Sequence, residues 1–89
     1  MFEKKSVEVR SMSEVDFSGL KFPQIVTYYH PDDDPEACVA RVFDNGQLTN
    51  VMMRRGSVWE LDYDIRNHTN MVFCPRGADD DPVIVGVWM

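Results

Sequence analysis

The chain has 89 residues, of which 44% are hydrophobic and ten are aromatic, and its formal net charge is −6 at pH 7. This length supports a single domain spanning residues 1–89 with one core, and the apolar content is too high for a disordered chain. The acidic balance disfavours binding to nucleic-acid phosphates and to anionic membranes. It allows a basic protein as a partner.

The two cysteines, Cys38 and Cys74, are too few for the disulfide framework of a small secreted protein. The segment Met1–Glu8 has no apolar stretch after its lysines, so it does not resemble a signal peptide. No apolar run approaches the roughly 20 residues of a membrane-spanning helix. These features predict a cytoplasmic protein with reduced thiols.

The N-terminal part predicts short elements only. Alternation in Ser6–Arg10 favours a short strand, and Ser13–Gly19 has a capping serine and a glycine stop that favour one helical turn or a loop. Gln24–His30 is the next predicted strand. No segment supports a helix longer than two or three turns.

The Asn45-Gly46 pair predicts a β-hairpin with arms Cys38–Phe43 and Gln47–Met53. Asparagine and glycine tolerate positive φ at both central positions of a turn, which the type I′ hairpin turn requires.

The segment Val58–Arg66 has strict alternation and is predicted to be a half-buried strand. Its apolar positions, expected in the core, are Trp59, Leu61, Tyr63 and Ile65. Its acidic positions, expected on a wet face, are Glu60, Asp62 and Asp64.

Two more strands are predicted near the C-terminus, Met71–Cys74 and Val83–Trp88. The second is almost wholly apolar, which suits a central strand covered on both faces. The predicted fold class is therefore mainly β, a single antiparallel sheet of six or seven short strands bent into a barrel or roll, with at most one short helix.

The tetrapeptide Asp-Asp-Asp-Pro occurs twice, at Asp32–Pro35 and Asp79–Pro82, each time between two apolar runs. If successive strands form hairpins, their loops alternate between the two ends of the sheet. Both aspartate loops and Arg54–Arg55 are then expected at one end, and Asn45-Gly46 and His68 at the other.

The acidic groups are the candidate partner-binding residues, because a like-charged surface steers association with a basic protein. They comprise the stripe and both loops: Glu60, Asp62, Asp64, Asp32, Asp33, Asp34, Asp79, Asp80 and Asp81. Two oxygen-rich loops also suit a hard cation such as Ca²⁺. However, adjacent aspartates lack the alternating spacing of an EF-hand, and solvated turns are the favoured explanation of both loops.

Catalytic, cofactor and metal motifs are absent from the sequence. His30, Cys38, His68 and Cys74 lack the paired spacing of zinc ligands, and there is no phosphate-binding glycine loop, dinucleotide fingerprint or serine elbow. The sequence favours a non-enzymatic interaction module or inhibitor that uses acidic surface against a basic partner. A small enzyme or cation-binding domain with its site at the aspartate end is the alternative, and self-association stays open.

Overall fold

Six strands form one open sheet, and one α-helix packs on one of its faces. The computed structural model describes residues 7–89; Ser6, in the predicted first strand, lies outside them. The elements are β1 (Val7–Val9), two 3₁₀ turns (Met12–Glu14 and Phe17–Gly19), β2 (Pro23–Tyr29), β3 (Cys38–Asp44), β4 (Gln47–Arg55), α1 (Val58–His68), β5 (Phe73–Pro75) and β6 (Ile84–Trp88). The strand order is β1-β4-β3-β2-β6-β5.

The prediction of a mainly β chain of six or seven short strands with at most one short helix agrees with the six strands and one α-helix of residues 7–89. The prediction of a purely antiparallel sheet does not, because β1 runs parallel to β4. Over residues 7–89 the sheet ends at β1 and β5 and is not closed into a barrel. The sheet does not need to close to bury its apolar face, because α1 packs on that face.

The predicted hairpin is confirmed by the backbone. Asn45 has φ 53° and Gly46 has φ 80°, the left-handed values that a type I′ turn needs. Their strands pair from Asp44 opposite Gln47 to Cys38 opposite Arg55. This turn therefore sets the register of β3 and β4 next to the turn, before it shifts between Arg41 and Phe43.

The prediction of a strand at Val58–Arg66 is wrong, because Val58–His68 is helical. Ser57 is the N-cap residue of the helix, and its hydroxyl donates to the Glu60 carboxylate at 2.8 Å instead of capping a backbone N–H. Leu61 and Ile65, one turn apart, are fully buried against the sheet. Trp59 and Tyr63, also one turn apart but on the outer side, are 68% and 65% exposed, so only half of the predicted buried set lies in the core.

The core lies between α1 and the facing side of the sheet. Leu61 and Ile65 pack there against eight residues from five strands and the first 3₁₀ turn. The whole cluster consists of Val9, Met12, Ile25, Cys38, Ala40, Val42, Met53, Leu61, Ile65 and Trp88. Val83–Trp88 does contain a strand, but Val87 is only half-buried on the face opposite Trp88. The expectation of cover on both faces is therefore not met.

Both aspartate loops lie at one end of the sheet, as predicted. The Tyr29–Cys38 pair closes the first loop, and Arg55 is opposite Cys38 at the same end. The second loop leads into β6, where Ile84 pairs with Tyr28 and the Val83 carbonyl accepts from the Tyr29 N–H at 2.7 Å. α1 starts just after Arg55, so its N-terminus belongs to this end too.

Candidate interaction surface

Two aromatic rings form a ridge along the outer side of α1. Trp59 and Tyr63 are spaced four residues apart, so their side chains lie on the same side of the helix. Their ring centroids are 6.3 Å apart in an edge-to-face arrangement, a favourable aromatic geometry. Two large aromatic side chains held this way in solvent form a contiguous apolar feature rather than a scattered one.

Glu60 and Asp64 flank one side of this aromatic ridge. Glu60 accepts from the Ser57 hydroxyl, and Asp64 accepts from the Met12 backbone N–H at 2.7 Å. Both side chains are half-buried. They border a depression of about 500 Å³ together with Arg55 and the two rings. Arg55 itself donates to the carbonyls of Arg54 and Arg10, so neither carboxylate is paired with it.

Asp62 lies on the other side of the ridge, next to Arg66. Its Oδ1 atom and the indole Nε1 of Trp88 are both shielded from solvent, and the indole N–H lies close enough to the carboxyl to favour its charged form. Burial raises the pKa of the Asp62 carboxyl, while the nearby charge of Arg66 and the indole N–H of Trp88 lower it by less. The acidic stripe predicted from the sequence is therefore divided, with two acids on one side of the ridge and one on the other.

We expect Asp62→Asn to stabilise the fold at neutral pH. The folded pKa of Asp62 lies above the unfolded one, so ionisation opposes folding at a pH above both values. The wild type should therefore gain stability relative to this variant as the pH falls through the folded pKa toward about 4. Urea titrations across this range test the expectation, with Asp79→Asn at an exposed position as the control. A stability difference that does not change with pH would contradict it.

The first aspartate loop is tied to the sheet by two ion pairs. Asp33 lies 2.6 Å from the Arg41 guanidinium, and Asp34 lies 2.5 Å from Arg54 Nε with a second contact of 2.8 Å to Nη2. Arg41 and Arg54 alternate with residues that face α1, so both point to the opposite face of the sheet. Asp33 and Asp34 are thus held away from α1, while Asp32 remains exposed.

The second aspartate loop is stabilised by local hydrogen bonds. Asp80 accepts from the Gly77 N–H at 2.7 Å, and Asp81 accepts from the Val83 N–H at 3.1 Å. Such bonds are the usual reason for aspartate in a tight turn. Asp79, Asp80 and Asp81 are all exposed. The loops share one end of the sheet, but they do not form a common carboxylate cluster with α1.

No group of three or more histidine, cysteine or acidic residues within 7–89 is arranged to hold a metal ion. The nearest approach to a catalytic pair is Asp64 and His68, whose Oδ1 and Nε2 atoms are 3.7 Å apart. That separation exceeds the reach of a hydrogen bond between a base and its orienting acid. Cys38 is buried, and burial raises the pKa of its thiol, which disfavours the reactive thiolate.

Trp59 and Tyr63 are the members of this surface that sequence reasoning assigned to the core. A signal for their exposure exists in the chain: Ser57 and Glu60 have the Ser-x-x-Glu spacing of a helix start. Given a helix, Leu61 and Ile65 share one side and the two aromatic residues share another.

Comparison with protein-family models, curated proteins and solved structures finds no match for this chain. In the described part of the chain, no helix is long and apolar enough to span a membrane.

Proposed function

We propose that this protein is a cytoplasmic, non-enzymatic interaction module or inhibitor that uses an acidic surface against a basic protein. The observation that carries the proposal is the exposed Trp59–Tyr63 ridge with carboxylates on both of its sides. Tryptophan and tyrosine are enriched among the residues that dominate binding energy at protein interfaces. Flanking charges of one sign give such a surface its preference for a partner of the opposite sign.

The remaining carboxylates extend this acidic character. Asp32 and the three aspartates of the second loop are exposed at the end of the sheet where α1 begins. They are not part of the ridge, and we assign them a role in long-range attraction rather than in contact. Such attraction acts over about 8–10 Å at moderate ionic strength. Cys38 and Cys74 are free cysteines, in keeping with the proposed reducing compartment.

The double variant Trp59→Ala/Tyr63→Ala is expected to weaken binding of the natural partner at least about a hundredfold, because each truncation removes a central aromatic contact. The partner would be isolated from the source cells and its kinetics measured with the purified pair. The association rate should also fall about tenfold or more as salt is raised from about 0.05 M to about 0.5 M.

Leu48→Ala is the matched control, since Leu48 is also exposed, at 53%, but lies on β4 near the opposite end of the sheet. It should leave the affinity unchanged within about twofold. Binding that is indifferent to salt and to the loss of both rings would refute the proposed function.

A further inference from the structure

The sheet face opposite α1, which we call the outer face, carries apolar side chains in its central strands. A sheet that is covered on one side only usually alternates apolar residues toward the core with polar residues toward water. β2 departs from that pattern, because Val26 follows the core residue Ile25 and points to the outer face. Its partner in β6 is Val87, which precedes the core residue Trp88. With neighbouring outward positions these residues form a half-buried apolar strip, which consists of Val26, Tyr28, Phe43 and Val87.

In residues 7–89 the helical layer lies on one side of the sheet only. α1 and both 3₁₀ turns pack on the core face. Val39 and Met52 belong to the outer face and are still buried, at 0% and 8% exposure. Each of the two is directly opposite an arginine in the neighbouring strand, and arginine stems cover neighbouring apolar surface. The apolar strip, by contrast, stays partly open to solvent.

The arginines beside the apolar strip are paired within the outer face. Arg41 lies 2.6 Å from Asp33, and Arg54 lies 2.5 Å from Asp34. Glu8, on the same face, is also near Arg54. A two-fold contact brings a patch against itself, so an uncompensated charge would meet its own like. Because the formal net charge is −6, two copies repel each other overall, and paired charges add little to that repulsion.

The outer face is large enough for a specific contact between two copies. Strands of seven residues span about 24 Å, and six strands at their usual spacing span roughly the same width. Two such faces would bury at most about 1,200 Å² in total, which is the low end of specific interfaces. Sheets pack face to face with their side chains interdigitated. The surface that fits a broad apolar sheet face is therefore another such face, and the chain itself supplies one.

We propose that two copies of this chain associate through their outer faces, with the apolar strips packed against each other. β6 is then covered on both faces, which its almost wholly apolar sequence favours. Each α1 lies on the outside of the pair, so the aromatic ridge remains accessible on both copies. The inference does not depend on the proposed function, because the ridge lies on the helix and the strip lies on the opposite face of the sheet.

Sedimentation equilibrium of the purified protein tests this contact. The average molar mass should rise from 10.3 kDa toward twice that value as the concentration increases from about 1 μM to about 1 mM. Val26→Lys places a charge in the strip and should weaken association at least about tenfold, because a charge buried in an apolar contact lacks a partner. Trp59→Lys makes the same change of charge at a 68% exposed position of α1 and should alter the dissociation constant less than about twofold. Circular dichroism verifies that both variants are folded.

Two further measurements use the unaltered protein. The ¹³C-methyl NMR signals of Val26 and Val87 should shift as the protein concentration rises, and those of Leu61 and Ile65, in the core, should not. Raising salt from about 0.05 M to about 0.5 M should strengthen association, because salt screens the repulsion between two acidic copies. This salt effect has the opposite sign to that expected for the basic partner.

A molar mass that stays at 10.3 kDa up to about 1 mM would overturn the proposal, assign the outer face to a different partner and leave the proposed function standing. Association that is lost in Trp59→Lys and kept in Val26→Lys would also overturn it, because the aromatic ridge would then form the contact. If Val26→Lys fails to fold, the methyl signals decide: concentration-dependent shifts that spare Val26 and Val87 would refute the contact.

Discussion

Leu61→Ala is expected to lower the free energy of unfolding by about 2–5 kcal/mol, the range for truncation of a core leucine. Leu61 is completely buried and holds the middle of α1 against the sheet. The helix has few other anchors, since Ile65 is the one other residue of α1 that is fully buried. Without this contact α1, which covers the core face, would be held against the sheet mainly by Ile65.

Tyr63→Ala is the matched control for this variant, because it truncates a large side chain in the same helix at a position that is 65% exposed. We expect it to change the free energy of unfolding by less than about 1 kcal/mol. Urea denaturation followed by circular dichroism measures both. Similar losses for the two variants would contradict the packing of α1 described above.

The helix at Val58–His68 escaped prediction because its residue pattern also fits a strand. Apolar and charged residues alternate from Trp59 to Arg66, and a strand places every second residue on one face. The same spacing also puts Leu61 and Ile65 on one side of a helix and Trp59 and Tyr63 on another. Tertiary packing decided between them, because the sheet needed a second layer and a helix provides it.

The predictions that held were those fixed by local backbone chemistry. Asn45 and Gly46 both adopt positive φ. Positive φ at two adjacent positions is a requirement of the type I′ hairpin turn, and asparagine followed by glycine is a pair that meets it. The two aspartate loops lie at one end because both β3 and β6 pair antiparallel with β2. By contrast, the parallel pairing of β1 with β4 joins residues more than forty positions apart, from Val7 with Val51 to Val9 with Met53. No local pattern encodes such a contact.

The sequence predicts the negative charge of the candidate surface but not the arrangement of its side chains. Glu60, Asp62 and Asp64 are visible as acids in the sequence. Their separation by an exposed aromatic ridge depends on the helix, and so does the burial of the Asp62 oxygen beside Trp88. Burial of a carboxylate costs free energy, and at Asp62 the charge of Arg66 and the indole N–H of Trp88 offset that cost only in part.

Gly86→Ala is expected to lower the free energy of unfolding by about 3 kcal/mol, at the upper end of the range for overpacking a core. Gly86 lies in β6 opposite Thr27 and beside β5. A Cβ atom there would stand 2.5 Å from two atoms of the Phe73 ring and 2.6 Å from the Cys74 carbonyl oxygen. The ring is itself packed on Trp88 with centroids 5.2 Å apart. The Cys74 oxygen is backbone, so the strain must separate β5 from β6.

Gly19→Ala is the control, because an added Cβ at Gly19 meets no atom within 4 Å and the substitution should alter stability by less than about 0.5 kcal/mol. The double variant Gly86→Ala/Phe73→Ala distinguishes the two contacts. It removes the ring but not the carbonyl, so the added methyl should still be costly in a Phe73→Ala background. If Gly86→Ala is as stable as Gly19→Ala in urea titration, then β5 does not pack on β6 as closely as these distances require, and the edge of the sheet beside Trp88 is misplaced.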